Sequence, residues 1–321
     1  MHAFSDLVDQ FNLQFAPPQF PAAPASLYEP CDYFLSIGGK RIRPILCLMG
    51  NELFDVLHPD AWELAKAIEV FHNFTLVHDD IMDAAPLRRN MPTVHTKYNT
   101  NVAILSGDVM VIRAYEHLNK IQPTLLPRIL RLFNKTAREV CEGQQLDMDF
   151  EQKETISLAQ YVDMITLKTS VLLAASLEMG AILGGASEGN GKHLYAFGKN
   201  LGIAFQIQDD YLDAFGDPKK FGKEPGGDIK QNKKTFLLIH AWETANETQR
   251  KELQALLQHN PPDKVEKVLA IYKACKVDDW ALTLKNSYLQ QALDHLAAVA
   301  VVSSRKKPLE ELAAYLMQRN V

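Results

Sequence analysis

The sequence is poor in cysteine, and the few cysteines that it has lie far apart. Four thiols occur in 321 residues, with no CxxC pair and no cysteine–histidine spacing of the zinc type. A disulfide framework and a structural zinc site are therefore not expected. We predict free thiols in a reducing compartment, at Cys31, Cys47, Cys141 and Cys275.

An excess of positive charge and a long uninterrupted apolar run are lacking as well. The net charge is -5, so no basic field favours nucleic acid as a partner. The most apolar stretch, residues 170–186, contains Glu178 and is shorter than the roughly 20 residues that span a bilayer. The N-terminus, MHAFSDLVDQ, has acidic residues where a signal peptide has a basic start and an apolar stretch. We expect a cytoplasmic protein without a transmembrane segment.

Alternating strand patterns and linker-like tracts are also scarce. Apolar residues recur at helical spacing along most of the chain, and no Ser/Gly-rich or repetitive segment divides it. We therefore predict an all-α protein with a single domain over residues 1–321. One long helix is expected over residues 60–80, with Asp60 as its N-cap and Pro86 as its stop.

Acidic residues, by contrast, are clustered, in two groups of three aspartates that each follow an apolar helical run. The first group is Asp79, Asp80 and Asp83, and the second is Asp209, Asp210 and Asp213. Members four residues apart project from one face of a helix, where like charges repel each other. A single group could be a solvated helix end, but two with the same spacing indicate a shared purpose. Because oxygen ligands favour Mg²⁺ or Mn²⁺, we predict a magnesium site that also uses substrate phosphates.

Basic residues lie close to both groups in the sequence. The segment GGKRIRP (residues 38–44) places three cations after a glycine pair, Arg88 and Arg89 follow the first aspartate group, and a lysine-rich segment (residues 216–234) follows the second. Glycines and cations before a helix suit a phosphate, although GGKR alone could be a solvated turn. Taken together with the aspartates, they predict two anionic groups, one held through metals and one held directly by Lys and Arg.

At this point the sequence resembles a known family, the trans-isoprenyl diphosphate synthases, which are head-to-tail prenyltransferases. The resemblance runs from about Gly38 to Phe236 and rests on six segments in the family's order: GGKRIRP, HDDIMDAAPLRR, GQQLDMDF, LKT, FQIQDDYLDAFGD and GGDIKQNKKTF. It implies an all-α helical bundle of the isoprenoid-synthase type around a deep central cavity, and a homodimer. It also implies Mg²⁺-dependent condensation of isopentenyl diphosphate with an allylic diphosphate.

The resemblance further implies roles for individual residues. The ligands of about two to three Mg²⁺ ions (Mn²⁺ being an alternative) would be Asp79, Asp83 and Asp209, with Asp80, Asp210 and Asp213 completing the shells. The allylic diphosphate would be held by Arg88, Lys168, Lys223 and Lys233. Isopentenyl diphosphate would be bound by Lys40, Arg43, His72 and Arg89. Thr169 and Gln206 would face the reacting carbons.

Product length in this family is set by side chains below the first aspartate group. At 1.5 Å per residue, Thr75 lies about 6 Å and Phe71 about 12 Å below Asp79 along a helix. A small Thr75 with bulky Phe74 and Phe71 resembles the pattern that gives a C20 product, whereas two adjacent aromatics are typical of C15 enzymes. We expect geranylgeranyl diphosphate (C20), with farnesyl diphosphate (C15) as the alternative. Both phenylalanines could instead merely pack the helix against its neighbours.

Other functions are compatible with part of this pattern. A class I terpene cyclase would also use an aspartate-rich helix and Mg²⁺, but it would not need a second diphosphate site. Head-to-head synthases space their aspartate motifs differently. A non-catalytic regulatory subunit of a prenyl synthase could lose metal ligands, whereas all six aspartates are retained here. These differences favour the head-to-tail enzyme.

Overall fold

The computed structural model describes residues 1–216 and 226–318, and almost all regular structure in these ranges is helical. The helices are α1 (Phe4–Gln14), α2 (Ala25–Ser36), α3 (Ile42–Glu52), α4 (Pro59–Met82), α5 (Val94–Lys97), α6 (Thr100–Leu118), α7 (Leu126–Glu151), α8 (Leu158–Ile165), α9 (Val171–Leu183), α10 (Glu188–Phe215), α11 (Gly227–Lys230), α12 (Phe236–Thr244), α13 (Glu247–His259), α14 (Lys264–Ala274), α15 (Val277–Ala298) and α16 (Ser303–Met317). A π-helical turn, Thr166–Ser170, joins α8 to α9. The predicted all-α class is confirmed.

A short antiparallel hairpin contains the only β-strands in the described ranges. Strands β1 (Leu87–Arg88) and β2 (Met91–Pro92) pair with Leu87 opposite Pro92. The two residues between them, Arg89 and Asn90, both have left-handed backbones, with φ of 53° and 63°. Two left-handed residues in a two-residue loop are typical of the turn that matches the twist of paired strands. The hairpin thus reverses the chain directly after the first aspartate group.

The N-cap of the long helix α4 lies two residues earlier than the sequence analysis predicts. His58 is its N-cap, accepting at Nδ1 from the backbone N–H of Asp60 at 3.1 Å, and Pro59 occupies the first helical position. The prediction of Asp60 as N-cap was wrong because proline is preorganised for the first helical position, where its missing N–H is not needed. Asp60 instead lies in the first turn, where the helix dipole favours an acid. The helix ends at Met82, before Pro86, as expected.

Contacts along the chain define two compact units, which are described separately. The first comprises Met1–Lys135, Ala175–Tyr195 and Val299–Pro308, and the second comprises Thr136–Ala174, Ala196–Ala298 and Leu309–Val321. The single domain over residues 1–321 stays a prediction.

In the first unit, α3 and α9 approach each other closely enough for their backbones to touch. A Cβ added to Gly180 would lie 1.9 Å from the carbonyl oxygen of Cys47, and one added to Gly50 would lie 2.4 Å from that of Leu177. Only glycine permits this distance, because backbone cannot move aside as a flexible side chain can. The same unit packs α4 against α3 and α6, so α4, which carries the first aspartate group, lies among several helices.

In the second unit, a row of aromatic rings connects α8, α12 and α15. Tyr161 lies 5.9 Å from Phe236 between ring centroids, and Phe236 lies 5.7 Å from Trp280. Trp280 in turn stacks on His240 at 3.8 Å. Phe236 is fully buried and Tyr161 is nearly so. These contacts give Tyr161 a fixed position at the edge of the unit's core.

The apolar stretch identified in the sequence is part of a longer continuous helical run. The run Leu158–Leu183 has 26 residues and is long and apolar enough to cross a membrane, with 72% of its most apolar window buried inside the protein. The expectation that it is too short was wrong, because the helix begins before residue 170 and continues through the π-helical turn. Its burial is what a core helix shows.

The four cysteines are free, as predicted. Cys31 and Cys47 are buried, and Cys141 is exposed. Burial raises the pKa of the Cys31 thiol to about 12, so this group is a packed apolar neighbour rather than a nucleophile.

Substituting Gly180→Ala tests the close approach of α3 and α9. We expect it to lower the free energy of unfolding by about 1–3 kcal/mol, because the new methyl group meets the backbone of Cys47. The matched control is Gly189→Ala in α10, where nothing lies within 4 Å of an added Cβ. This control should be neutral or stabilising, by up to about 1 kcal/mol, because alanine is the better helix former. Denaturant unfolding of both variants measures the difference, and equal effects would contradict the close approach.

Candidate active site

The first aspartate group lies at the C-terminal end of α4, and its middle member is neutralised by the hairpin. Arg88 on β1 donates from Nε to both carboxylate oxygens of Asp80, at 2.9 and 3.0 Å, and its Nη2 lies 2.7 Å from Oδ1. The same Nη2 lies 3.6 Å from Asp79 Oδ2. Burial raises the pKa of Asp80, and the Arg88 guanidinium opposes that rise. The hairpin therefore supplies the positive charge that acids at a helix C-terminus require.

Asp83 differs from Asp79 and Asp80 in exposure. It is the C-cap of α4, with its backbone N–H bonded to the carbonyl oxygen of Asp79 at 2.8 Å, and its side chain faces solvent. Asp79 and Asp83 thus lie one turn apart, as their spacing predicts. This end of α4 presents one buried paired carboxylate and, beside it, carboxylates nearer the surface.

The GGKRIRP segment leads into α3 and meets the other residues proposed for isopentenyl diphosphate. A Cβ on Gly39 would lie 2.9 Å from the guanidinium nitrogens of Arg89, so glycine is needed for Arg89 to lie there. Arg43 Nη1 lies 3.0 Å from His72 Nε2. The structure therefore brings Arg43, His72 and Arg89 into one cationic patch, with Lys40 exposed next to Gly39.

His72 is uncharged in this patch. Burial lowers its pKa well below the ordinary value, and the neighbouring arginines lower it further. Burial also lowers the pKa of Arg43 to about 10, still far above neutral pH. A neutral imidazole beside a charged guanidinium can donate a hydrogen bond from its ring N–H to an anion. It does so without adding to the repulsion among the cations.

The second aspartate group lies near the C-terminal end of α10 and is set in a network of hydrogen bonds. The Tyr161 hydroxyl donates to Asp210 Oδ2, and Gln206 Nε2 donates to Asp210 Oδ1 at 2.8 Å. Asp213 Oδ2 accepts from the backbone N–H of Asp228 at 3.0 Å. Burial raises the pKa of Asp210 to about 8, and the charge of Asp228 contributes to that rise. Bringing a cation near this group would reverse the effect.

A cavity of about 160 Å³ lies beside Asp210 in the second unit. Its walls carry Lys168 and Thr169 from the π-helical turn, together with Gln206 and Lys233. Thr169 Oγ1 donates to Gln206 Oε1 at 3.2 Å, which brings together the two residues predicted to face the reacting carbons. Lys233 Nζ lies 3.6 Å from Asp228 Oδ1. Cations and carboxylates therefore alternate around one small space.

The π-helical turn is held in place from α7. Lys168 Nζ forms an ion pair with Asp147 Oδ2 at 2.6 Å. A Cβ on Gly143 would lie 2.2 Å from the backbone nitrogen of Lys168, so α7 touches the turn directly. Single π-helical turns within helices frequently occur at functional sites.

The sequence analysis missed several residues that line this cavity. They are Asp147, Tyr161, Asp228 and Lys234. Asp147 belongs to the segment GQQLDMDF, which carries part of the resemblance but was given no residue role in the sequence analysis. Tyr161 gives no signal in the sequence, because its role depends on a contact with Asp210 on another helix. Lys223, which was predicted to hold the allylic diphosphate, lies outside the described residues.

The three residues predicted to limit product length lie in an aromatic cluster of the first unit. Phe71 is 3% exposed and meets Phe133 edge to face at 5.1 Å between centroids. Phe74 lies 5.5 Å from Phe71. Thr75 Oγ1 donates to the carbonyl oxygen of His72 at 2.7 Å, which turns its hydroxyl back to its own helix. The cluster places aromatic side chains on the part of α4 that precedes Asp79, and their role in product length stays a prediction.

The donor set suits magnesium bound together with a substrate. Within the described ranges, no three His, Cys, Asp or Glu side chains converge on one point. Magnesium does not need such a cage, because it usually keeps several waters and takes one or two carboxylates plus substrate phosphates. In the first unit, Asp79 and Asp83 lie one turn apart on α4, and in the second unit Asp209 lies near the end of α10, so each unit carries carboxylates that suit such a role. Asp80 already pairs with Arg88, and Asp210 already accepts a hydrogen bond from Tyr161.

The chain is similar to known prenyl diphosphate synthases along most of its length. A geranylgeranyl diphosphate synthase from Sulfolobus acidocaldarius is 37% identical over 300 residues, covering 91% of each chain. A geranylfarnesyl diphosphate synthase from Natronomonas pharaonis is 32% identical, over 92% of this chain and 91% of that protein. A crystal structure of a geranylgeranyl pyrophosphate synthase matches with a TM-score of 0.94 and 42% identity, covering 99% of both chains.

The polyprenyl synthetase family matches residues 24–275. This range contains the GGKRIRP segment, both aspartate groups and the π-helical turn. The resemblance seen in the sequence is thereby confirmed, and the chain belongs to the polyprenyl synthetase family.

Proposed function

We propose that the chain is a short-chain isoprenyl diphosphate synthase that joins isopentenyl diphosphate head to tail to an allylic diphosphate and releases mainly geranylgeranyl diphosphate. The observation that carries the proposal is that two aspartate groups of the same spacing lie near the ends of two helices, the first paired with Arg88 and the second beside a cavity lined by Lys168 and Lys233. A separate patch of arginines around a neutral histidine offers positive charge for a second diphosphate. Two diphosphate sites are what a condensation needs and what a terpene cyclase does not.

The reaction begins when the allylic carbon–oxygen bond breaks and the diphosphate leaves with the electron pair. Magnesium, when bound, would neutralise the charge that develops on this leaving group. Lys168 and Lys233 add positive charge at the cavity wall, and the ion pair with Asp147 holds Lys168 in position in advance. Preorganised charges of this kind stabilise a transition state without rearranging during the step.

The allylic cation must then meet a double bond rather than water. Met164 and Ile165 give the cavity apolar wall, which disfavours water beside the reacting carbon. The double bond of isopentenyl diphosphate attacks the cation, and a proton is lost to the released diphosphate. Arg43, His72 and Arg89 hold the diphosphate of isopentenyl diphosphate, while Lys40 supplements their charge. No protein nucleophile takes part.

The function test is a product assay with labelled isopentenyl diphosphate, Mg²⁺ and C5, C10 or C15 allylic primers. We expect Asp79→Ala to lower kcat by about a hundredfold or more, because a carboxylate that meets the metal-bound leaving group is lost. The matched control is Asp294→Ala on α15, whose exposed carboxylate accepts from Gln290. That variant should retain full activity. Equal loss in both variants, or no product from the wild type, would contradict the proposal.

Product length follows from the aromatic cluster around Phe71 and Phe74. The small Thr75 leaves space below Asp79, and Phe71 with Phe133 closes the space further down. The names of the relatives support C20 as the principal product, with C15 as the alternative from the sequence. We expect the wild type to yield a C20 alcohol after phosphatase treatment. Thr75→Phe should shorten the product to C15, because a second ring would stand one turn below Asp79. An unchanged product in this variant would remove Thr75 from the set that limits length.

We also propose a homodimer, formed through α6, in the cytoplasm. Three large apolar side chains of this helix face solvent: Ile104 at 43%, Leu105 at 57% and Ile112 at 59% exposure. Several apolar side chains exposed on one helix are typical of an interaction surface.

Leu105→Asp tests this surface. The buried charge should convert a dimer to monomer, because an unpaired carboxylate in an interface is unfavourable. The matched control is Leu13→Asp on α1, where an even more exposed leucine stands outside the α6 surface. Light scattering coupled to size-exclusion chromatography gives the mass of each variant. A monomeric wild type, or a dimeric Leu105→Asp variant, would contradict the proposed interface.

A further inference from the structure

A buried ion pair lies behind the cationic patch proposed for isopentenyl diphosphate. Glu69 on α4 is 4% exposed, and Arg41 is 8% exposed. Arg41 Nη1 donates to Glu69 Oε1 at 2.5 Å. An ion pair in the interior is a weak source of stability by itself, because both charges lose their hydration. Its presence behind a binding patch therefore calls for a second explanation.

The carboxylate of Glu69 is held from its own helix. Asn73, one turn later on α4, donates from Nδ2 to Glu69 Oε1 at 3.0 Å and to the Glu69 carbonyl oxygen at 2.7 Å. Among the described residues, the side-chain oxygen of Asn73 is buried without a hydrogen-bond partner. An unsatisfied buried acceptor calls for an explanation. Here the orientation of the Asn73 side chain favours the two hydrogen bonds that its Nδ2 donates to Glu69. Those contacts fix the direction in which Glu69 points.

Arg41 has an unusual backbone that its side chain holds in place. With φ of 52° and ψ of 26°, it is a left-handed, non-glycine N-cap of α3. Its Nε donates to Asn12 Oδ1 at 3.3 Å, and its guanidinium lies 5.3 Å from the centroid of the Phe15 ring. A sparsely populated backbone persists only where its surroundings determine it, and such residues cluster at binding sites. The turn at Arg41 separates the exposed Lys40 from Arg43, which contacts His72.

Glu69 also acts on the charges of the patch. Its carboxylate raises the pKa values of Arg43 and Arg89, against the burial and mutual repulsion that lower them. The buried negative charge of Glu69 thus reduces the repulsion among the neighbouring arginines when no anion is bound.

We propose that Glu69 is a positioning residue for the diphosphate of isopentenyl diphosphate. Asn73 orients the Glu69 carboxylate, which in turn holds the Arg41 side chain in position. The left-handed backbone at Arg41 then orients Lys40 and Arg43 towards the position where this substrate binds. Glu69 itself does not touch the substrate. The inference rests on the proposed function, because it assigns this substrate to the patch.

The test is Glu69→Gln, which keeps the size and an acceptor oxygen but removes the charge. We expect the KM for isopentenyl diphosphate to rise by about tenfold, which corresponds to about 1.4 kcal/mol. The KM for the allylic substrate and kcat should change by less than about twofold. Arg41→Lys, which keeps the charge and loses the planar fork, should shift the same KM in the same direction. It preserves the test if Glu69→Gln folds poorly.

The matched control is Glu63→Gln on the same helix. Glu63 Oε2 contacts His117 at 2.7 Å and Lys120 at 2.9 Å, so this change also removes a carboxylate from a charged cluster. It should leave both KM values unchanged. If Glu69→Gln lowers only the melting temperature, or raises both KM values equally, Glu69 is a purely structural residue and the proposal is overturned.

Failure of the proposed function would have a different signature, namely a wild type that forms no product. Calorimetric binding of isopentenyl diphosphate alone then decides on Glu69 separately. Tighter binding to the wild type and to Glu63→Gln than to Glu69→Gln supports the positioning role, and equal binding to all three overturns it.

Discussion

Repulsion among clustered carboxylates is the constraint on which much of this protein's architecture depends. Three aspartates within five residues at a helix end would destabilise that end unless positive charge or hydrogen-bond donors face them. The chain meets this demand in two different ways. After α4 it folds a hairpin back so that Arg88 pairs with Asp80. Near the end of α10 it uses uncharged donors, Tyr161 and Gln206, for Asp210. In each case the central carboxylate pairs with donors that the protein itself supplies.

The patch of arginines poses the opposite electrostatic problem. Arg41, Arg43 and Arg89 would repel one another, and a protonated His72 would add a further charge. The structure keeps His72 neutral through burial and pairs the buried carboxylate of Glu69 with Arg41. A net positive charge therefore remains for an anion, at a level that the fold tolerates. The same interplay of burial and charge thus lowers the pKa of a histidine in one place and raises the pKa of an aspartate in another.

Local patterns in the sequence predict a large part of this arrangement. Helical spacing identifies α4 and α10, and the i, i+4 relation places Asp79 and Asp83 on one face without knowledge of the fold. The glycines and cations before α3 likewise indicate a phosphate site. These features depend only on residues close together in the chain, which is why sequence alone reveals them. The resemblance to the family adds roles for individual residues, and these roles stay proposals.

Other features depend on contacts between distant residues and were not predictable from local patterns. The hairpin has no glycine in its turn, so Arg89 and Asn90 give little sign of their left-handed backbones. The pairing of Asp147 with Lys168 joins α7 to the π-helical turn, and that of Tyr161 with Asp210 joins α8 to α10. The N-cap of α4 was misplaced for a smaller reason, since His58 and Asp60 are both capable of capping and only the proline between them decides.

The π-helical turn also has a consequence for how this segment tolerates insertions and deletions. On an uninterrupted α-helix, Tyr161 and Thr169, eight positions apart, would point about 80° away from each other. A wider turn changes that phase, and both residues line the same cavity. Deleting one residue between 166 and 170 could leave a regular helix of nearly the same length and hydrophobicity, yet it would rotate one half against the other by roughly 100°. The number of residues in this segment is therefore constrained more strongly than their identity, because it sets the rotation of one half of the helix relative to the other.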